Sequence, residues 1–282
     1  MPVMTGEFRP APPPAVLRPF VLRYLGYREE SATPVLRRQA PAAGVALVFG
    51  FHSLELSGPA VGSTTTAAFV GGLSDTWVLT RFTGPQAGIQ VDLTPVGLYT
   101  LLGGRALPSG AVPALDELAD PVLAALPERL AAAPEWPARF ALVSEVLAGR
   151  LLDVRARRPA PEVVHAWRRL EVTGGRVPVS VLAAETGWSR RHLQARFSTQ
   201  IGLGPRTAGR VLRFSRASGL VAGSRVALAE IAATCGYVDQ AHLSREFRAL
   251  AGISPGGFRT EWAAAFPFVQ DEAASGEQDQ PA

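Results

Sequence analysis

One pattern occurs twice near the C-terminal end of this 282-residue chain, and it constrains the fold more than any other feature. The first copy runs from Leu182 to Pro205 and the second from Ile231 to Pro255. Matching residues are 49 positions apart up to an aromatic residue, Trp188 or Tyr237, and 50 apart after it, so the second turn is one residue longer. Each copy predicts a short helix, a glycine turn and a second amphipathic helix, which is the helix-turn-helix arrangement.

Capping residues and turn glycines set the expected limits of these helices. In the first copy Val179–Thr186 is the supporting helix, Gly187 makes the turn, and Ser189 caps a helix from Arg190 to about Gln200. In the second copy Gly236 makes the turn and Asp239 caps a helix over Gln240–Leu250. In each second helix a leucine and a phenylalanine four positions apart face inward, as expected for one buried stripe: Leu193 and Phe197, Leu243 and Phe247.

The opposite faces of the two second helices carry residue types that suit the edges of DNA bases. Arg contacts guanine O6 and N7 in the major groove, and Gln contacts adenine N6 and N7. The predicted DNA-binding residues are Arg190, Arg191, Gln194, Ala195, Gln240, Ala241, His242 and Arg245. A helix predicted over Arg206–Val221 joins the copies, and a separation of about 34 Å would let both helices enter successive major grooves.

The placement of charge favours the same interpretation. All 28 basic residues are Arg, which base composition of a GC-rich genome explains, so only their distribution is informative. Residues 1–150 carry 11 Arg against 12 acidic residues, whereas residues 151–265 carry 17 against eight. A net charge of +9 on the segment with the repeat is expected for a domain that faces phosphates.

The N-terminal part of the chain predicts strands followed by helices. Its first fourteen residues, rich in Pro, predict a loose arm, and short strands are expected from about Leu17 to Leu93. Candidate strands are Gly44–Leu56, Thr64–Val70 and Thr76–Leu93, the last divided by a Gly-Pro turn, and candidate helices are Val96–Leu102, Leu115–Ala133 and Pro137–Arg157. The fold class is therefore α+β: a β-rich sheet or barrel with following helices, then an all-α tandem helix-turn-helix domain.

Three regions follow from these patterns. We expect an N-terminal sensor or dimerisation domain over 1–158, β-rich to about 95, and a DNA-binding domain over 161–265. The charged, Pro-containing segment Arg155–Pro161 marks the boundary, and the last residues, 266–282, predict an acidic, disordered tail.

The repeat resembles the AraC/XylS-type transcriptional regulators. The family elements G-[FY], L-S-R-x-F-R and G-x-S-P occur as Gly236-Tyr237, Leu243–Arg248 and Gly252–Pro255, and Arg213 with Ala217 matches the family's linker helix. The resemblance covers roughly Pro178 to Trp262 and implies seven helices with two base-contacting helices. Ala195 and Ala241 stand where polar residues are often found, which leaves contact with thymine methyl groups in place of hydrogen bonds.

The resemblance also implies partners. They are double-stranded DNA, an unidentified small-molecule effector, RNA polymerase and a second copy of the chain. The N-terminal region resembles the sensor halves of actinobacterial members, and many family sensors are cupin-like β-barrels that bind an effector or dimerise.

Other chemistries find little support in the sequence. Of the four histidines, His52 alone lies in the β-rich region, so we expect no multi-histidine metal site there, and no cofactor. No catalytic constellation is evident, and the chain is expected not to be an enzyme. Cys235 is the only cysteine, which excludes an intrachain disulfide. With no evident signal peptide or membrane-spanning run, we expect a cytoplasmic protein.

The leading hypothesis is a one-component bacterial regulator that binds DNA sequence-specifically. The alternative is a small-molecule-binding or enzymatic N-terminal domain with only secondary, non-specific DNA binding. A non-specific architectural DNA-binding protein is a third class, and it predicts similar affinity for all sequences.

Overall fold

The N-terminal half of the molecule is built on one antiparallel sheet. A computed structural model describes residues 5–153 and 155–265. The strands are β1 (Thr5–Ala11), β2 (Val21–Gln39), β3 (Val45–Gly58), β4 (Gly62–Gly71) and β5 (Val78–Leu93). Their order in the sheet is β1-β2-β5-β3-β4, so the strand pairs β2–β5 and β5–β3 form its centre. The topology, which the sequence left open, is thus a five-stranded antiparallel sheet.

Two strands differ from the sequence-based expectation. Strands were expected to be short, but β2 spans 19 residues and β5 spans 16. The Gly-Pro pair predicted to divide β5 does not end it, because Gly84 and Pro85 remain in register with Ser31 and Glu30 of β2. Gly84 has a positive φ of 83°, which glycine adopts without strain, and the ladder shifts its register beside it. The prediction of a loose N-terminal arm was also wrong, because Thr5–Ala11 forms β1. Residues 1–4 lie outside the described residues.

Four helices follow the sheet. They are α1 (Pro95–Leu101), α2 (Pro121–Ala124), α3 (Leu126–Ala132) and α4 (Trp136–Leu151). The single helix expected over Leu115–Ala133 is broken, because Pro121 and Pro127 each open a new helix. Along α4, residues at four-position steps form one fully buried stripe: Val143, Leu147 and Leu151. The helix ends at Leu151, six residues before the predicted Arg157.

Seven helices make up the region from residue 161 to 265. They are α5 (Pro161–Val172), α6 (Val179–Thr186), α7 (Arg190–Ile201), α8 (Pro205–Gly223), α9 (Leu228–Cys235), α10 (Gln240–Ala251) and α11 (Pro255–Ala265). The predicted boundary segment lies between α4 and α5. The predicted tail, 266–282, lies outside the described residues.

The hydrophobic core does not divide at that boundary. One cluster runs from the sheet through α1 and α4 into α5, α6, α7 and the first part of α8. A second cluster is formed by the rest of α8 with α9, α10 and α11. The first helix-turn-helix unit therefore shares its core with the sheet, whereas the second has a core of its own. The domain limits 1–158 and 161–265 stay predictions.

Candidate nucleic-acid interface

The two copies of the repeat adopt the same turn. Helices α6 and α9 end at Gly187 and Gly236, whose φ angles of 69° and 77° lie in the left-handed region that favours glycine. The aromatic residue after each glycine donates its backbone N–H to the equivalent carbonyl: Trp188 to Ala183 at 3.1 Å and Tyr237 to Ala232 at 2.9 Å. The extra residue of the second turn, Val238, follows this bond and leaves the turn geometry unchanged.

Side-chain caps fix the start of the two recognition helices, α7 and α10. Ser189 Oγ accepts the His192 N–H at 3.2 Å, and Asp239 Oδ1 accepts the His242 N–H at 2.6 Å. Each bond satisfies one of the backbone donors that a helix leaves unpaired at its N-terminus. The remaining N-terminal donors stay available to an anion such as a phosphate oxygen.

Buried aromatic residues hold each recognition helix on its unit. Leu193 and Phe197 of α7 are fully buried, and Phe197 lies 6.5 Å from the ring of Trp167 on α5. In α10 Leu243 and Phe247 are fully buried, and Phe247 lies 4.8 Å from the ring of Phe214 on α8. The side of each helix away from these contacts is thereby turned to solvent.

Most of the predicted DNA-binding residues are exposed on that side. They are Arg190, Arg191, Gln194, Ala195, Gln240, Ala241 and Arg245. Within the described part of the chain, the side chains of Arg190, Arg191 and Arg245 form no hydrogen bond or ion pair. Other arginines of the same region have partners inside the protein: Arg210 binds Glu246 at 2.7 Å and Arg213 binds the Gly175 carbonyl at 2.7 Å. The exposed guanidinium groups are therefore free to bind an external acceptor.

Gln194 and His242 are placed differently from the other predicted residues. Gln194 Nε2 donates to Ser198 Oγ at 3.2 Å along the same helix, so the amide must rotate before it can reach a base. His242 is half-buried, and its ring meets Tyr237 edge-on at 5.3 Å. His192 meets Trp188 in the same way at 4.5 Å. The aromatic–histidine pair recurs at the same repeat positions, and it braces each turn against its recognition helix.

One exposed arginine beside these residues was not among the predicted DNA-binding residues. Arg196 lies on the flank of α7 and has no partner among the described residues. Its position directly before the buried Phe197 did not mark it as outward-facing, although an exposed Arg on the flank of α7 is well placed for a phosphate. Cys235, in contrast, is buried at the end of α9, and burial raises the pKa of its thiol.

Comparison with known families identifies this region. A family model described as a helix-turn-helix domain matches residues 182–261. This segment is an AraC-type helix-turn-helix domain. The matched span of the AraC-type domain contains both turns and both recognition helices, and it agrees with the family resemblance of the sequence.

Individual relatives of the AraC-type domain are distant. The F1 operon positive regulatory protein of Yersinia pestis is 35% identical over 83 residues, which are 29% of this chain and 28% of that protein. The chain thus matches less than a third of the length of this curated relative. ToxT from Vibrio cholerae O395 is 10% identical with a TM-score of 0.49, covering 92% of this chain and 98% of ToxT. The DNA-binding domain of AdpA, solved with a target DNA, is 31% identical with a TM-score of 0.34, covering 39% and 97%.

Two further observations concern residues 5–153 and 155–265. None of their helices has both the length and the apolar character that crossing a membrane requires. No group of three or more His, Cys, Asp or Glu side chains is arranged there to hold a metal ion.

Proposed function

We propose that this chain is a bacterial one-component transcription regulator that binds DNA sequence-specifically, not an enzyme. The observation that carries the proposal is the repetition of one exposed surface at the start of α7 and α10. In both helices Arg and Gln side chains lie within two turns of a capped N-terminus, the part of a recognition helix that reaches base edges. The match of the AraC-type domain supports the same function.

In the proposed complex α7 and α10 enter two successive major grooves. Arg190, Arg191 and Gln194 contact bases through α7, and Gln240 and Arg245 do so through α10. Ala195 and Ala241 add apolar contact with thymine methyl groups. His242, braced on Tyr237, contributes at the edge of the second contact. The net charge of +9 over residues 151–265 supplies the attraction to phosphates that precedes base contact.

The test is fluorescence-anisotropy binding of the full-length protein to the DNA upstream of its own gene and to scrambled DNA, at several salt concentrations. Sequence-specific binding predicts an affinity ratio of at least about 10³ between specific and non-specific sites. A variant with Arg190, Arg191 and Arg245 changed to Ala should lose that ratio and keep its circular dichroism spectrum. Equal, salt-sensitive affinity for the upstream DNA and for scrambled DNA would favour the architectural class instead.

The N-terminal domain is proposed to bind a small-molecule effector. The support is a cleft of about 420 Å³ formed by β1, β2, β3 and β5, with Arg28, Glu29, His52 and Gln86 among its lining residues. Gln86 is buried, and its Nε2 donates to the Ser53 carbonyl at 2.8 Å while Oε1 has no protein partner. The Gln86 amide holds β5 against β3 at the wall of this cleft, so its loss should weaken effector binding.

Native mass spectrometry of the purified full-length protein tests the effector. We expect a small-molecule adduct that is lost in Gln86→Leu and retained in a control such as Val16→Ala, which changes an exposed residue. Turnover of the bound molecule would support the enzymatic alternative. Contact with RNA polymerase, formation of a homodimer and a cytoplasmic location stay predictions.

A further inference from the structure

Two loops of the N-terminal half lie between the two helix-turn-helix units. They consist of residues 74–77, before β5, and residues 107–110, after α1, and are called here the loop pair. Ser109 Oγ donates to Asp75 Oδ1 at 2.6 Å, and the Asp75 N–H donates to Ser109 Oγ at 3.2 Å. These two hydrogen bonds hold the two loops together.

The 107–110 loop contacts the end of the first recognition helix. Helix α7 ends at Gly202, which has a φ of 96°. A Cβ atom built on Gly202 would lie 2.5 Å from the Leu107 carbonyl oxygen, well inside van der Waals contact. The Leu107 side chain packs on the core that the sheet shares with the first unit, so this contact is anchored on both sides.

The 74–77 loop contacts the end of the second recognition helix. Helix α10 ends at Gly252, and a Cβ atom built there would lie 2.5 Å from Nε1 of Trp77. The guanidinium of Arg38 lies over the Trp77 ring at 4.7 Å. Arg38 also donates to the Ala251 carbonyl at 3.1 Å and pairs with Glu261 of α11 at 2.9 Å. Trp77 is thereby fixed against the last turn of α10.

The two contacted glycines are equivalent positions of the repeat. Gly202 and Gly252 each close a recognition helix, so the loop pair contacts both units at the same structural point. Between them Arg210 of α8 pairs with Glu246 of α10; this bond raises the pKa of Arg210, and the nearby charge of Asp75 adds to the effect. The loop pair thus faces α7, α8 and α10 together.

We infer that the loop pair holds the two recognition helices at a set separation and so determines which half-site spacing the protein binds. Helix α8 belongs to the cores of both units and so connects them along one side. The contacts at Gly202 and Gly252 add a second connection, and each acts at the end of a recognition helix. Asp75, Trp77 and Leu107 are accordingly positioning residues that need not touch DNA. The inference rests on the proposed function for its DNA-level consequence alone.

A distance measurement without DNA tests the positioning role. Spin labels are attached to Thr199→Cys on α7 and Ala249→Cys on α10, both exposed sites, with the buried Cys235 changed to Ala. We expect one narrow distance distribution in the full-length protein. Trp77→Ala should broaden it and Trp77→Phe should restore it, because phenylalanine keeps a ring between Gly252 and Arg38. Asp75→Ala, which removes the bond to Ser109, should broaden it as well. A distribution unchanged in both alanine variants would overturn the inference.

A binding series tests the consequence for DNA. Full-length protein is titrated with duplexes in which the two half-sites are moved closer or further apart by one or two base pairs. We expect the unaltered protein to disfavour the changed spacings about tenfold, and Trp77→Ala to lose most of that preference, a coupling of ordinary size. Retention of the full preference in Trp77→Ala would contradict the inference. Equal binding of all spacings by the unaltered protein would also contradict the inferred selection of a spacing. Failure to distinguish these duplexes from scrambled DNA would contradict the proposed function instead, while the label distances would still decide the positioning role.

Discussion

At the scale of single residues, arginines divide by what they bind. Arg210 and Arg213 bind acceptors inside the helical region, whereas Arg190, Arg191 and Arg245 lie exposed without a partner among residues 5–153 and 155–265. The sequence predicted most of this exposed set, because helical periodicity places a residue inward or outward from its distance to Leu193 or Leu243. It could not predict that Gln194 bonds to Ser198 or that the histidines pack on turn aromatics, since both depend on rotamers.

Changing Arg245 to Ala should weaken DNA binding at particular base pairs. Arg245 lies in the second turn of α10, and loss of a bidentate guanine contact is worth about 1–3 kcal/mol of discrimination. The matched control is Arg248→Ala, an exposed arginine nearer the helix C-terminus, which should lower affinity for all sequences alike. Binding to a panel of single-base operator variants separates the two effects. An equal loss on every sequence for Arg245→Ala would show that it contacts phosphate and not a base.

A buried ion pair in the sheet makes a second prediction at this scale. Arg37 donates to both carboxylate oxygens of Glu29 at 2.6 Å, and both side chains are buried. Arg37→Met should reduce the free energy of unfolding by about 3–5 kcal/mol, because it leaves the Glu29 charge buried without its partner. Adding Glu29→Gln should recover much of the loss. Urea unfolding measures both, and a double variant no more stable than Arg37→Met would refute this account.

At the scale of elements, short sequence signals such as capping residues were sufficient to predict the helices of the repeat. They were insufficient to predict the strands. Capping residues and αL glycines fixed α6, α7 and α10 to within about a residue, because these signals are contained in the element itself. Strand β2 was not predicted as a separate strand from the sequence. Its buried positions include Glu29, Ser31 and Arg37, which are residue types normally found at the surface. Burial of such residues depends on pairing across the strand and cannot be deduced from periodicity.

Removing the cap of α7 should loosen the start of that helix. Ser189→Ala deletes the acceptor of the His192 N–H, which is typically worth about 0.5–2 kcal/mol. Ser189→Asp is the matched control, because aspartate caps the equivalent helix α10. Amide hydrogen exchange in the first turn of α7 should quicken in the alanine variant and stay slow in the aspartate variant. Unchanged exchange in Ser189→Ala would mean that the cap contributes nothing to the helix.

At the scale of the whole molecule, the two helix-turn-helix units differ in what stabilises them. The first shares one hydrophobic cluster with the sheet, and its α7 packs against α1. The second has a separate cluster and meets the sheet through the Arg38–Glu261 pair and the contact of α11 with β2. The repeat in the sequence suggested two equivalent units, and it could not show this difference, because the sheet's surface is not encoded within the repeat.

Separating residues 161–265 from the rest of the chain should therefore destabilise the first unit more than the second. The cut exposes the apolar surface where α7 packs on α1, and such burial contributes about 25 cal/mol per Å². Hydrogen exchange of the fragment, compared with the full chain, should show larger loss of protection in α6 and α7 than in α9 and α10. Equal protection loss in both units would refute the prediction.

The unequal division of the hydrophobic core also determines where a chimera of this chain can be joined. A chimera that joins a foreign sensor at residue 160 would place an unmatched surface beneath α7. A junction after α7, within 202–205, would instead transplant the sensor together with the recognition helix that packs on it. Under the proposed function, recombination at that point would change the effector and the first half-site in one event.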